Sequence, residues 1–251
     1  MLKHPTLQKL EALRLFGMYK SLEELLNSPQ TADLPASDQL ALMVDRETLE
    51  RENSRTTSRL KTARLRYQAS MEDLDWRSPR GLDKSVVLGL SDCSWIKSGR
   101  NVLITGPTGA GKSFLACALA QKACREGYRA LYYRSSRLFG ELDIAKSDGR
   151  WPRVLEQIQR AHLLVIDDWG LSQLTDRERL ALLEVLEDRH GSRSTIITSQ
   201  LPVSHWHEVI NNLTIADAIL DRLVHNAHVL NLKGESMRKQ KAHLTLADHS
   251  G

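Results

Sequence analysis

Cysteine is scarce in this chain. Cys93, Cys117 and Cys124 stand far apart, and no CxxC pair occurs. That argues against a disulfide framework and against a cysteine-built zinc site, and it points to a reducing compartment, the cytoplasm. Aromatic residues make up only 5% of the sequence, so the core is expected to be Leu, Val, Ile and Ala. No apolar run approaches the ~18 residues that a membrane span needs. The N-terminus, MLKHPTLQKLEALRL, lacks the apolar stretch of a secretory signal. No internal repeat is visible. His205, His207, His225 and His228 have no cysteine or acid cluster at ligand spacing, so surface or capping roles are expected rather than metal binding.

What is present is enough apolar material for a real core, 41% of 251 residues, and a small net charge of +4. That length suits one large domain, or one domain with a smaller appendage. The charge is unevenly placed. Residues 51–66 carry Arg51, Arg55, Arg59, Lys61, Arg64 and Arg66 against the single acid Glu52, a local +5. Arg51, Arg55 and Arg59 fall on one helical face with Ser and Thr between them. Arginine interleaved with hydroxyl residues is what contact with a phosphate backbone uses, and these six side chains are the candidate DNA-binding set.

Before this run, residues 1–26 carry a rough helical stripe, with Thr6 as N-cap. A loop follows over 27–36, and a second long helix starts from Ser37. The expected organisation is a small N-terminal helical domain, residues 1–67, ahead of a larger domain, residues 68–251. Within the link, Leu74 and Trp76 can pack over a purine ring or between domains.

The most informative stretch is RNVLITGPTGAGKSF, Arg100–Phe114. An apolar run, Asn101–Thr105, leads into Gly106-Pro107-Thr108-Gly109-Ala110-Gly111-Lys112-Ser113, and a helical pattern runs on to Arg125. This is G-x-x-x-x-G-K-[ST] in strand-then-helix context. Phosphate oxygens crowd such a turn, so its N–H groups must approach closely, and glycine has no Cβ to block them. The helix N-terminus faces the anion. Lys112 is expected on the β- and γ-phosphates and the Ser113 hydroxyl on Mg²⁺, so ATP and Mg²⁺ are the expected cofactors. Residues 106–114 are the expected nucleotide-binding set.

Beyond this motif, strands and helices alternate. Strands are read at Arg129–Tyr133, His162–Asp167, Ser194–Thr198 and Val229–Leu232. Helices are read near residues 84–96, 135–146, 151–160, 176–190 and 214–225, with Thr175 and Glu178 forming a capping box. The pattern predicts an α/β fold, a parallel sheet between helices. In HLLVIDD, a buried strand would deliver Asp167 to Mg²⁺ and Asp168 to the attacking water. Ser199 or Gln200, at another strand end, is placed to reach the γ-phosphate. Arg222 has no acid at its i±3 and i±4 positions, which leaves it available as an arginine finger for a neighbour's γ-phosphate. Arg238 is a second phosphate-sensor candidate.

Together the P-loop, VIDDWG, TSQLPVSHWHEVI and ADAILDRLVHNAH resemble the IstB-type ATPases, AAA+ helpers of transposition. The resemblance covers nearly the whole chain, and its core is similar to DnaC-type helicase loaders and DnaA-type initiators. It implies an ATPase that forms a homo-oligomer on double-stranded DNA and activates a cognate DDE transposase. ATP would sit between subunits, with Arg222 supplied in trans, Arg238 as second sensor and Gln200 or Ser199 as first. AAA+ proteins usually place Glu where this chain has Asp168, which implies slow hydrolysis. Only about 20 residues follow Leu232, so no separate C-terminal lid domain is expected. A helicase loader is the alternative function. A small-molecule P-loop kinase fits less well, given the basic segment and the missing lid.

Overall fold

The computed structural model describes residues 4–28, 34–234 and 236–237. The chain divides into two compact units, Met1–Ser58 and Arg59–Gly251. A boundary at residue 67 would therefore fall inside the second unit.

In the first unit, helices α1 (Pro5–Ala12) and α2 (Phe16–Asn27) precede a long helix α3 (Ala36–Ala63) that runs past the division. The single helix expected over 1–26 is thus two. Arg14 takes a left-handed φ of 58° between them, a break that no Gly or Pro announces. The N-cap of α1 is His4, whose Nδ1 accepts the Thr6 N–H, so Thr6 is not the cap. Glu47 of α3 accepts the N–H groups of Gly17 (2.8 Å) and Met18 (3.2 Å), orphan donors in the first turn of α2. Gly17 is required at this crossing, because a Cβ there would lie 2.5 Å from the Glu47 Cα.

The second unit begins with the end of α3 and two short helices, α4 (Lys84–Leu90) and α5 (Ser94–Lys97), where one was expected. Five parallel strands follow: β1 (Asn101–Thr105), β2 (Ala130–Arg134), β3 (Leu163–Trp169), β4 (Ser194–Ser199) and β5 (Ala227–Asn231), in the spatial order β2-β3-β4-β1-β5. The connections carry α6 (Lys112–Arg125), α7 (Ser135–Ser147), α8 (Trp151–Arg160), α9 (Asp176–Arg189), α10 (Trp206–Ile210) and α11 (Leu213–Val224). Strand alternation sorts the apolar side chains into two layers. Val102, Ile104, Val165 and Ile196 pack with α6 on one side. Leu103, Leu164, Ile166 and Ile197 pack with α7–α11 on the other. The α/β sandwich read from the sequence is present, preceded by helices.

Helix α6 lies close to the sheet because its buried face is small: Ala116, Cys117, Ala120, Ala123 and Cys124 are all fully buried. Burial pushes the thiols of Cys93 and Cys117 up to about 11, so they serve as core side chains rather than nucleophiles. No helix among the described residues is long and apolar enough to cross a membrane.

Candidate active site

In an open parallel sheet the strand C-termini form a polar edge where ligands settle. Here β1, β3 and β4 bring their ends together, with β4 between the other two. A cleft of ≈ 530 Å³ opens at this edge, lined in part by Thr108, Gly109, Gly111–Phe114, Asp168 and Gln200.

The turn after β1 is held tightly from behind. Gly106 has φ 141°, and a Cβ there would stand 2.3 Å from the carbonyl oxygen of Leu232. Gly111 has φ 95°, and its Cβ would stand 2.5 Å from Nη1 of Arg80. The glycines therefore admit the chain's own neighbours as well as a ligand. Arg80 is 5% exposed and donates to the carbonyls of Asp75 (2.8 Å) and Ala110 (3.4 Å), which ties the turn to the preceding link. Lys112 is buried, with Nζ donating to the carbonyls of Gly106 (2.8 Å) and Pro107 (2.9 Å). Met237 N–H donates to the Gly109 carbonyl (3.0 Å) and Met237 lines the cleft. Arg238, the second-sensor candidate, lies outside the described residues.

Asp167 is completely buried. Its Oδ1 accepts hydroxyl hydrogen bonds from Ser113 (2.7 Å) and Thr198, and its Oδ2 accepts one from Tyr132. Burial, and then the Asp167 carboxylate, push the Tyr132 phenol well above its ordinary range, so it stays a donor. Adjacent strand residues normally face opposite sides of a sheet. A register shift between Ile166 and Trp169, with Asp168 at φ 61°, breaks that rule. As a result, one guanidinium nitrogen, Nη1 of Arg66, lies 3.5 Å from Asp167 Oδ2 and 3.4 Å from Asp168 Oδ2. The Asp168 N–H donates to Thr198 Oγ1 (3.1 Å), and Ser135 donates to the Asp168 carbonyl (2.9 Å), which fixes the unusual backbone.

These residues fit a magnesium nucleotide. Mg²⁺ takes hard oxygen ligands and is commonly held by one or two carboxylates plus substrate phosphates. The Ser113 hydroxyl and the Asp167 carboxylate already touch. Lys112 and the N-terminus of α6 supply positive charge beside them. Asp168, with its side chain 30% exposed, borders the open cleft.

The remaining candidates separate. Ser199 is buried and spends its hydroxyl on backbone, donating to the Trp169 carbonyl (2.9 Å) and accepting from the Leu201 N–H (3.0 Å). Gln200 is the exposed strand-end residue that lines the cleft. Leu74 is core, and Trp76 packs against the same core under Lys84; neither lines the cleft. Tyr67 and Phe114 do line it, with ring centroids 6.3 Å apart. Arg222 lies at the opposite edge of the sheet, where its carbonyl accepts from the side chain of Asn101 at the start of β1 (2.9 Å). It has no acid at intrahelical spacing, as expected, but the availability inferred from that is corrected: Glu187 of α9 pairs with it at 3.0 Å. The sequence pattern tests only neighbours on the same helix.

The basic run also divides. Arg51 pairs with Glu47 at 2.6 Å, and Arg59 Nε donates to the Cys124 carbonyl (2.7 Å). Arg66 lines the cleft, while Arg55, Lys61 and Arg64 are exposed. Sequence reasoning missed Arg66, Tyr67, Arg80, Tyr132 and Thr198 as members of the site. Thr198 and Tyr132 carry a strand-end signal, whereas Arg66 was hidden inside a charge run.

Known proteins resemble this chain along most of its length. The IstB-like ATP binding protein family matches residues 8–245. A Sinorhizobium fredii (strain NBRC 101917 / NGR234) chain named for an insertion sequence and for ATP binding, y4pL, is 50% identical over 241 residues, 96% of this chain and 98% of that one. The Pseudomonas aeruginosa chain named in the same way for IS21 is 34% identical over 236 residues, 93% of this chain and 89% of that one. The crystal structure of the DnaC helicase loader has a TM-score of 0.58 at 18% identity, covering 66% of this chain and 98% of that chain. The DnaA initiator bound to AMPPCP and single-stranded DNA has a TM-score of 0.56 at 13% identity, covering 74% of this chain and 56% of that chain. At such identities the likeness speaks for the fold. The family match and the full-length relatives say more: this chain belongs to the IstB-like ATP binding protein family of insertion sequences.

Proposed function

We propose that this protein is an ATPase that assembles on double-stranded DNA and activates the transposase of its insertion element. The observation that carries the reading is the convergence of Lys112, Ser113 and Asp168 on one cleft, with the buried Asp167 directly behind Ser113. In it Lys112 would bind the β- and γ-phosphates, Ser113 and Asp167 would hold Mg²⁺, and Asp168 with Gln200 would orient the attacking water. When bound, Mg²⁺ would draw charge from the phosphate oxygens during transfer.

The place of Arg222 supports assembly. It sits at the strand-start edge, roughly 16 Å along β1 from the P-loop end at five residues of ~3.3 Å each. A side chain there cannot complete its own cleft, so it would complete that of a second copy. DNA contact is assigned to the exposed Arg55, Lys61 and Arg64, with Arg51 and Arg59 already committed to protein partners. Such contacts are sequence-independent and weaken steeply with salt.

Negative-stain imaging of the full chain with duplex DNA, under ATP and under ADP, tests the assembly. ATP-dependent oligomers on DNA are expected, and Lys112→Ala should abolish them. Pull-downs with the element's transposase and with a replicative helicase separate the helper reading from a loader. Capture of the helicase alone would replace the former by the latter.

A further inference from the structure

Within the basic run, one arginine does not behave as a surface residue. Helix α3 ends at Ala63, which is fully buried, and Arg64 takes a left-handed φ of 53°. That turn redirects the backbone, and Arg66 emerges into the cleft beside Thr108, Lys112 and Gln200. Its guanidinium carbon lies 5.1 Å from the Tyr67 ring centroid. Its Nη1 faces the buried Asp167 carboxylate and the cleft-lining Asp168 carboxylate, at 3.5 and 3.4 Å. Its side chain is 26% exposed, against 43% for Arg134, whose Nε stands 4.0 Å from Asp168.

We infer that Arg66 is an arginine this chain contributes to its own nucleotide site, contacting the third phosphate of a bound nucleoside triphosphate and setting the preference for three phosphates over two. The chemistry suits the task. A planar guanidinium offers several donors in a fixed fork, so it can engage a phosphate oxygen while keeping a carboxylate partner. Asp168 is the residue assigned to the attacking water, and the γ-phosphate must lie next to that water. A cation within 3.4 Å of Asp168 is therefore within reach of the γ-phosphate and farther from the α- and β-phosphates, which lie over the turn. Arg66 and Arg222 would then serve one phosphate from two chains. This inference rests on the nucleotide reading of the cleft.

Equilibrium fluorescence titration of the full chain tests it, with N-methylanthraniloyl derivatives of ADP and of the imido analogue of ATP, both with Mg²⁺. The readout is the ratio of the two affinities. Arg66→Ala should lower the triphosphate preference by about tenfold, as expected for one charge-assisted contact. Arg66→Lys keeps the charge but not the fork, and should lower it by about threefold. It decides the matter if the alanine variant lacks a cooperative melt. An unchanged ratio in a folded variant overturns the assignment while leaving the nucleotide site intact. So does an unchanged ratio joined to a reduced salt slope of DNA binding, which would make Arg66 a DNA contact. A wild-type chain that binds neither ligand overturns both the assignment and the nucleotide reading.

Discussion

The two edges of the sheet use arginine in opposite ways. At the strand-end edge, Arg66 faces the carboxylates of Asp167 and Asp168 and borders an open cleft. At the strand-start edge, Arg189 is 1% exposed and pairs with no acid among the described residues. It donates instead to the carbonyls of Ile158 (2.7 Å), Ala161 (3.0 Å) and Ser194 (2.5 Å), closing the end of α8 and the entry to β4. Burial, and then neighbouring Arg193, push its pKa down to about 9. The first arrangement holds charges where a ligand can meet them. The second uses a charge to satisfy backbone that water cannot reach. Arg222 stands between these cases, half-buried on Glu187 at the strand-start edge.

The contrast can be broken at either edge. The largest effect is expected from Lys112→Ala, which should reduce ATP affinity by ~100-fold or more in calorimetry, as two charge-assisted phosphate contacts disappear. Retained affinity would remove the P-loop from the account. Next, Arg222→Ala should lower the ATPase rate by about 10³-fold or more, the range for arginine fingers. Mixing Arg222→Ala with Lys112→Ala chains should recover part of the activity, because each supplies what the other lacks. No recovery in mixed oligomers would place Arg222 outside the neighbour's site.

Asp168→Asn should slow hydrolysis by roughly 10²–10³-fold while ATP binding persists. Loss of binding in step with rate would instead make Asp168 a ligand-holding residue. Arg189→Met fills similar volume but strands three carbonyls. It should cost about 3 kcal/mol of stability in denaturant unfolding and leave ATP affinity unchanged.

The smallest effect lies in the first unit. Burial opposes the charge on Glu47, but the hydrogen bonds from Arg51, Met18 and Gly17 outweigh it and lower its pKa. Its folded value thus lies below the unfolded ~4.3. The stabilisation is present above that pH and is lost as pH falls through the folded value. Glu47→Ala should cost about 1 kcal/mol near neutrality, like the loss of a helix cap. Hydrogen exchange of the α2 amides should reveal this, and protection equal to that of the wild type would refute the cap.

Strand and helix periodicity made much of this fold legible. β1 and α6 run over the spans read from GPTGAGKS and its flanks, because the motif dictates both ends. The Thr175–Glu178 capping box is present as expected. β3 continues to Trp169 because the bulge carries pairing beyond Asp167, and a bulge with a left-handed Asp has no pattern in sequence. Helix α10 escaped notice because His205 and His207 mask Trp206, which is fully buried against Trp169. At the site, the motif residues were readable, but their partners were not. Thr198 and Tyr132 meet Asp167 only through the order β2-β3-β4, and that order is a property of the folded sheet.

The split between the two edges also has a counting consequence. If Arg222 completes a neighbour's cleft as proposed, copies joined edge to edge, each lending it forward, would form a row with direction. A row with free ends always carries one catalytic centre deprived of its visiting arginine and one arginine with no host, whereas a closed circle carries none. Turnover per chain would therefore climb with length in short rows and level off at closure. The enzyme's own rate would then report whether its ends have met.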